Sequence, residues 1–292
     1  MAKAKVGIVG VGMMGHGIAS NIQKNGWPIA IYDHPGNQPT QALIDNGARA
    51  HTSLQALAAT SDVVVLCVTG SPEVEAVLTQ DNGLLTGLQA GAVVIDCSTA
   101  IPSSTVKLAQ LVHQTGAQFL DAPMTRTPKE AAEGRLNLIV GGDKNVFESQ
   151  LPLLESYAEN ITYAGPTGSG HTLKLLHNYV SLGFSAVLAE AIAASNQSGI
   201  DPHVLHEVLA KGGGAGVVLD RLTPYLLEQD VGALRFTLSN SAKDLSYYNK
   251  MCDDSNAAHS VAASVGGLFD HCVASGSGDE FVPALISLLN SK

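Results

Sequence analysis

The sequence predicts an α/β chain: a Rossmann-type doubly wound sheet domain followed by an all-α domain, joined by one long interdomain helix. Three observations carry that prediction. Short apolar runs alternate with helical patterns through the first half. A glycine turn, Gly10-Val11-Gly12-Met13-Met14-Gly15, follows the first run. Beyond Gly165-Pro166-Thr167-Gly168-Ser169-Gly170 only helical patterns remain. That Gly/Pro cluster sets the expected boundary, with residues 1–166 before it and 167–292 after it.

The first run, Val6-Gly7-Ile8-Val9, leads into the glycine turn. A helical pattern from Met14 to Gln23 stops at Lys24-Asn25-Gly26, and a second run, Ile29-Ala30-Ile31-Tyr32, ends at Asp33. Strand, turn, helix, strand and acid stand in the order that binds a dinucleotide. Gly10 permits the tight turn, Gly12 lets the backbone approach a pyrophosphate, and Gly15 lets helix and strand pack closely. Met13 and Met14 open the helix, whose N-terminal N–H groups and dipole favour phosphate. A bare βα turn can carry the same glycines. Asp33, about 20 residues on, is what favours a nucleotide, because its carboxylate suits ribose hydroxyls. The same carboxylate repels a 2′-phosphate, and His34-Pro35-Gly36-Asn37-Gln38-Pro39 offers no Lys or Arg to hold one. NAD is expected, and NADP is less favoured.

Further strands are expected at Val63–Leu66, Ala92–Ile95, Gln118–Leu120, Leu136–Val140 and Ile161–Tyr163. Helices are expected at Pro72–Leu78, Pro102–Gln114 and Asn145–Glu159. Residues 171–197 hold no Pro and one Gly, and read as a single long helix. Others follow at Pro202–Lys211, Val218–Leu227, Ser239–Cys252, Ala257–Ser275 and Phe281–Asn290.

The 292 residues suit two domains, and 45% hydrophobic content supplies their cores. A net charge of −10 argues against a basic nucleic-acid surface. The four cysteines, Cys67, Cys97, Cys252 and Cys272, have no CxxC spacing, so neither a disulfide nor a metal framework is expected. No signal peptide is read at the N-terminus, and no run approaches roughly 18 uninterrupted apolar residues. A cytoplasmic chain with no membrane partner is expected.

Candidate chemistry sits at three places. Lys174 and Asn178, at i and i+4, share a helix face near the start of the long helix, where a small-ligand site between domains is expected. A lone helical Lys is usually a solvated charge, but Leu173, Leu175 and Leu176 suggest that this one is mostly buried. Asp96-Cys97-Ser98-Thr99 and Asp121-Ala122-Pro123-Met124-Thr125-Arg126 follow strands at the ligand-binding edge of the sheet. The first also reads as a simple N-cap. Arg126 offers a planar fork for a carboxylate, sulfonate or phosphate, or else forms a surface salt bridge. Lys243-Asp244 lies on a late helix and could be an exposed pair.

Together, residues 7–22, 96–99, 121–142, 168–178 and 236–245 resemble the β-hydroxyacid dehydrogenases, the 3-hydroxyisobutyrate dehydrogenase family, across almost the whole chain. The resemblance implies Lys174 as the catalytic acid/base, with Ser98, Asn178 and Asp244 at the substrate. It implies Thr99, Lys243 and Val68 at the cofactor, beside Gly10, Gly12, Met13, Met14, Gly15 and Asp33. It also implies a homodimer or homotetramer. Burial and a nearby cation such as Arg126 are expected to lower the Lys174 pKa towards neutrality. Thr125-Arg126-Thr127 replaces the family's usual Ser-Gly-Gly and resembles the sulfolactaldehyde reductase branch, which implies a firmly anionic substrate. His177 and Met124-Thr125 depart from that branch. Val68-Thr69-Gly70 departs from the family's usual Leu-Pro. An imine reductase of the same fold and a non-catalytic dinucleotide-binding protein are the alternatives; the retained Lys174 counts against both.

Overall fold

The computed structural model describes residues 3–290. Its chain divides into two compact units, with the break between Lys174 and Leu175. The break falls just inside the long helix rather than at the Gly/Pro cluster before it, because the helix's first turn is bonded to the sheet.

The first unit runs β1 (Val6–Val9), α1 (Met13–Lys24), β2 (Ile29–Tyr32), α2 (Gln41–Asp45), β3 (Arg49–His51), α3 (Leu54–Ala59), β4 (Val63–Leu66), α4 (Ser71–Thr79), β5 (Val93–Asp96), α5 (Pro102–Gln114), β6 (Gln118–Asp121), β7 (Met124–Thr125), α6 (Pro128–Glu133), β8 (Leu136–Gly142), α7 (Lys144–Leu154) and β9 (Ala158–Gly165). The strands form one sheet in the order β3-β2-β1-β4-β5-β6-β8-β7, with β9 paired to β8. β3 through β6 are parallel, and β8 runs antiparallel to β6 and β7. Every residue of β1, β4 and β5 is buried, which is why these strands read as unbroken apolar runs. One core on the sheet gathers Ile8, Ile18, Ile22 and Tyr157; a second gathers Leu57, Leu66, Leu78 and Phe119.

Two expectations need correction here. The helix expected to reach Glu159 ends at Leu154. Tyr157 is fully buried, and Ala158 already pairs with Leu136 as the start of β9. The helix expected from Ala257 begins at Ser260, because Asn256 closes the preceding helix in the left-handed region (φ 58°).

The long helix α8 (Ser169–Gln197) leads into the second unit, α9 (Pro202–Ala210), α10 (Val217–Glu228), α11 (Leu238–Ser255), α12 (Ser260–Cys272) and α13 (Leu285–Asn290). A short 3₁₀ turn, Val282–Ala284, precedes α13 where one continuous helix was expected. α8 contains an 18-residue window of mean hydropathy 1.3, long and apolar enough to cross a membrane. Packing accounts for that apolarity: Leu182, Ala186, Ala189 and Ile192 join Leu238, Leu245 and Phe269 in the core of the helical unit.

Candidate active site

The glycine turn has the shape its sequence implies. Gly10 sits at φ +91°, and a Cβ there would lie 2.3 Å from the Cys67 carbonyl oxygen. A Cβ on Gly15 would lie 1.9 Å from the Gly10 carbonyl oxygen, so α1 can approach β1 only without one. Gly12 is different: nothing stands within 4 Å of its Cβ position. It caps α1 with no side chain bonded to the helix N-terminus, and Met13 beside it is exposed. Open space over uncapped N–H groups fits a pyrophosphate. Asp33 is exposed at the end of β2, its N–H bonded to the His51 carbonyl. His34 Nδ1 accepts the Gly36 N–H, so that nitrogen cannot donate to a phosphate.

One residue here was missed by sequence reasoning. Asn37 Oδ1 accepts the Val11 N–H at 3.2 Å, and its Nδ2 donates to the Tyr32 carbonyl at 2.9 Å. It ties the loop after Asp33 to the glycine turn. An Asn inside a Pro-Gly loop was the available signal.

Gly12→Ala tests this cradle. The site has room for a methyl and an extended backbone (φ −77°, ψ −157°), so stability should stay within about 0.5 kcal/mol. The methyl would occupy the pyrophosphate's place, and dinucleotide affinity should fall at least about tenfold, roughly 1.4 kcal/mol. Thermal unfolding and titration of NADH fluorescence measure the two effects separately. A variant that binds normally would show that the open space is not the cradle.

Two carboxylates stand side by side at the sheet edge. Asp96 and Asp121 are register partners in β5 and β6, and both are buried. Asp121 accepts the Gly168 N–H at 2.8 Å and the His171 N–H at 2.9 Å, which fixes the start of α8. Asp96 Oδ1 accepts the Ser98 N–H at 2.9 Å, while its buried Oδ2 has no hydrogen-bond partner among the described residues. Burial pushes the Asp96 carboxyl up from the usual range; His171 and two Ser98 hydrogen bonds pull it down, and Asp121 pushes it up again. Ser98 is buried, with Oγ accepting the Val68 N–H at 3.1 Å, and Thr99 and Val68 are half-buried beside it. The structure therefore joins Ser98 and Val68 directly.

Lys174 is half-buried on α8. Of the leucines expected to bury it, Leu175 is fully buried, but Leu173 and Leu176 are exposed. One turn on, within the helical unit, Asn178 Nδ2 donates to Asp244 Oδ2 at 2.6 Å. Lys243 Nζ lies 2.8 Å from Asp244 Oδ1 and 5.2 Å from the Tyr247 ring. Asn178, Asp244 and Lys243 thus form one polar cluster, with Asp244 and Asn178 buried. His177 Nδ1 meets Asn178 Oδ1 at 3.0 Å, and Tyr179 stacks on Tyr248 at 4.3 Å.

Arg126 is not held open as a fork in this arrangement. Its Nη1 bonds the Glu159 carboxylate and the Arg135 carbonyl. Its backbone sits at φ +81°, in the left-handed region that favours glycine. The flanking threonines serve the backbone and a neighbour: Thr127 makes a capping box with Glu130 on α6, and Thr125 accepts from Asn137. Thr127 also holds the Glu130 carboxyl below its ordinary value.

An open glycine cradle on a doubly wound sheet, followed by a long helix that leads into a helical unit, fits an NAD(P)-dependent oxidoreductase. Residues 5–165 match the NAD-binding domain of 6-phosphogluconate dehydrogenase, and residues 168–289 match the NAD-binding domain of NADP-dependent 3-hydroxyisobutyrate dehydrogenase. The chain is 29% identical to the 2-(hydroxymethyl)glutarate dehydrogenase of Eubacterium barkeri over 97% of its own length and 94% of that protein's. It is 32% identical to the 3-hydroxyisobutyrate dehydrogenase of Pseudomonas aeruginosa over 75% and 74%. The structure of 3-hydroxyisobutyrate dehydrogenase from Salmonella typhimurium superposes with a TM-score of 0.83 at 25% identity, covering 97% of this chain and 99% of that one. The chain belongs to the 3-hydroxyisobutyrate dehydrogenase (β-hydroxyacid dehydrogenase) family of 3-hydroxyacid oxidoreductases.

Proposed function

We propose that this enzyme interconverts a short β- or γ-hydroxy acid, or the corresponding hydroxy sulfonate, and its aldehyde, with NAD preferred over NADP and Lys174 as general acid/base. The observation that carries this reading is the placement of Lys174, one turn beyond a helix start that Asp121 fixes to the dinucleotide-binding sheet. The nicotinamide, when bound, supplies or accepts the hydride. Lys174 accepts the alcohol proton during oxidation and returns it to the carbonyl oxygen during reduction. Ser98, Asn178 and Asp244 hold and orient the substrate; Thr99, Lys243 and Val68 line the cofactor. Asp33 and the absence of Lys or Arg from residues 34–39 favour NAD.

The names of two relatives describe carboxylates, which supports an anionic head group. Arg126 is the cation proposed to meet it, by exchanging Glu159 for the substrate. A half-exposed ion pair is worth about 0–1 kcal/mol, so a second anion can compete for the guanidinium. Exposed Val180 and Val187 on α8 support self-association as a dimer or tetramer. Unbridged thiols at Cys67, Cys97 and Cys252 suit a cytoplasmic setting.

The deciding measurement is steady-state turnover with NAD and NADP across 3-hydroxyisobutyrate, 3-hydroxypropionate, γ-hydroxybutyrate, dihydroxypropanesulfonate and their aldehydes. On the best substrate, Arg126→Ala should raise KM about tenfold or more with little change in kcat. Glu159→Gln should lower KM by releasing the guanidinium. Unchanged KM in both variants would assign Arg126 to the loop alone. Turnover of no substrate in the panel would overturn the whole reading.

A further inference from the structure

We propose that His171, backed by Asp96, is a positioning residue: its imidazole locks the Ser98 loop to the first turn of α8, and so sets Lys174 against the substrate-holding serine. The proposal rests on the function inferred above. His171 is fully buried, one turn before Lys174 on the same side of the helix. A buried imidazole at a helix start is costly unless both nitrogens are satisfied. Here both are. Nε2 lies 3.1 Å from the Ser98 carbonyl oxygen, and Nδ1 lies 2.7 Å from Thr105 Oγ1 on α5. The backbone N–H of the same residue is held by Asp121 on β6. One residue therefore gathers the end of β5, the first turn of α5 and the end of β6 onto the turn that leads to Lys174.

The partners fix the tautomer. A carbonyl oxygen only accepts, so Nε2 carries the hydrogen and donates to Ser98; the single Thr105 hydroxyl hydrogen then goes to Nδ1 at 2.7 Å in preference to the Ile101 carbonyl at 3.2 Å, the other acceptor in its reach. Asp96 strengthens that assignment. Its Oδ2, buried without a hydrogen-bond partner among the described residues, faces Nε2 at 3.9 Å and favours a hydrogen on that nitrogen. Asp96 also holds the Ser98 N–H. Ser98 is thus gripped at its N–H by the carboxylate and at its carbonyl by the imidazole the carboxylate orients. Its hydroxyl is left on the Val68 N–H at the cofactor-proposed loop. Small displacements matter at such a place, since a shift of about 1 Å can cost about 10²-fold in rate.

Side-chain geometry supplies the test. In Gln the terminal amide nitrogen lies where Nε2 stands and can donate to Ser98; in Asn it lies where Nδ1 stands and cannot. His171→Asn and His171→Leu should lower kcat by about 10²-fold with NADH affinity within about twofold of wild type. His171→Gln should restore kcat to within about threefold. A merely structural residue would show no such split between Gln and Asn. Ring ¹⁵N spectra of the wild-type protein should show hydrogen on Nε2 and an unprotonated Nδ1. The opposite tautomer, or Leu and Asn variants that keep wild-type kcat, would overturn the proposal. If the variants do not fold, the ring spectrum decides it alone. Failure of the functional reading is distinguishable: the wild-type enzyme would then turn over nothing in the panel, while the ring spectrum would still report the tautomer.

Discussion

Lys174→Ala is expected to lower kcat by about 10²–10⁴-fold while dinucleotide affinity stays within about twofold. The proton that leaves the alcohol oxygen must go to a base within hydrogen-bond reach. Asp244 is committed to Asn178 and Lys243, and Asp121 to two backbone N–H groups. His171 has both ring nitrogens engaged. Lys174, whose amine can take up and return a proton, is the group we propose for that transfer. A second substitution separates charge from proton transfer. Lys174→Arg keeps the positive charge, but a guanidinium does not give up its proton in proteins. It should therefore be nearly as slow as the alanine variant. Presteady-state reduction of the aldehyde with NADH, beside NADH titration by fluorescence, resolves the chemical step from binding. An arginine variant with near wild-type rate would reduce Lys174 to an electrostatic group. An alanine variant with wild-type rate would remove it from the chemistry.

What could be read in the sequence follows a physical divide. β1, β4 and β5 are buried on both faces, so each leaves a continuous apolar run. β3 is an exposed edge strand of Arg-Ala-His, and β7 has two residues; neither leaves a pattern, and both were missed. The glycine turn was legible because its constraints are local: Gly10, Gly12 and Gly15 act within one turn. For Arg126 the sequence left an anion fork and a salt bridge side by side, because the carboxylate it meets, Glu159, lies far along the chain on β9. Asn178 and Asp244 were each singled out, but their direct bond, spanning two helices, has no local signature. The same holds for the tether of α8. Asp121 reads as one more acid after a strand, and only the folded chain shows which N–H groups it serves.

Asp121→Ala should destabilise the protein by about 3–5 kcal/mol, among the largest effects expected of any single substitution here. The carboxylate is fully buried and accepts two N–H groups, from Gly168 and His171. Leaving a buried donor unsatisfied costs about 1–3 kcal/mol, and two are orphaned at once. Water cannot readily replace the carboxylate. A Cβ on Gly170 would lie 2.4 Å from the Ile139 carbonyl oxygen and 2.7 Å from that of Asp121, so helix start and strands are already in backbone contact. A shift of Tm by about 2–4 °C per kcal/mol makes the loss easy to see in thermal unfolding. Asn is the instructive control. Its amide keeps the size and one acceptor, but its NH₂ faces the second N–H, donor against donor. Asp121→Asn should therefore recover less than half of the loss. Activity should fall along with stability, because the turn that Asp121 holds is the one that delivers His171 and Lys174. Recovery of full stability in the asparagine variant would mean that size rather than charge fills this position. The start of α8 would then be held by packing of Gly168 against α5 and Gly170 against the strands, not by the carboxylate.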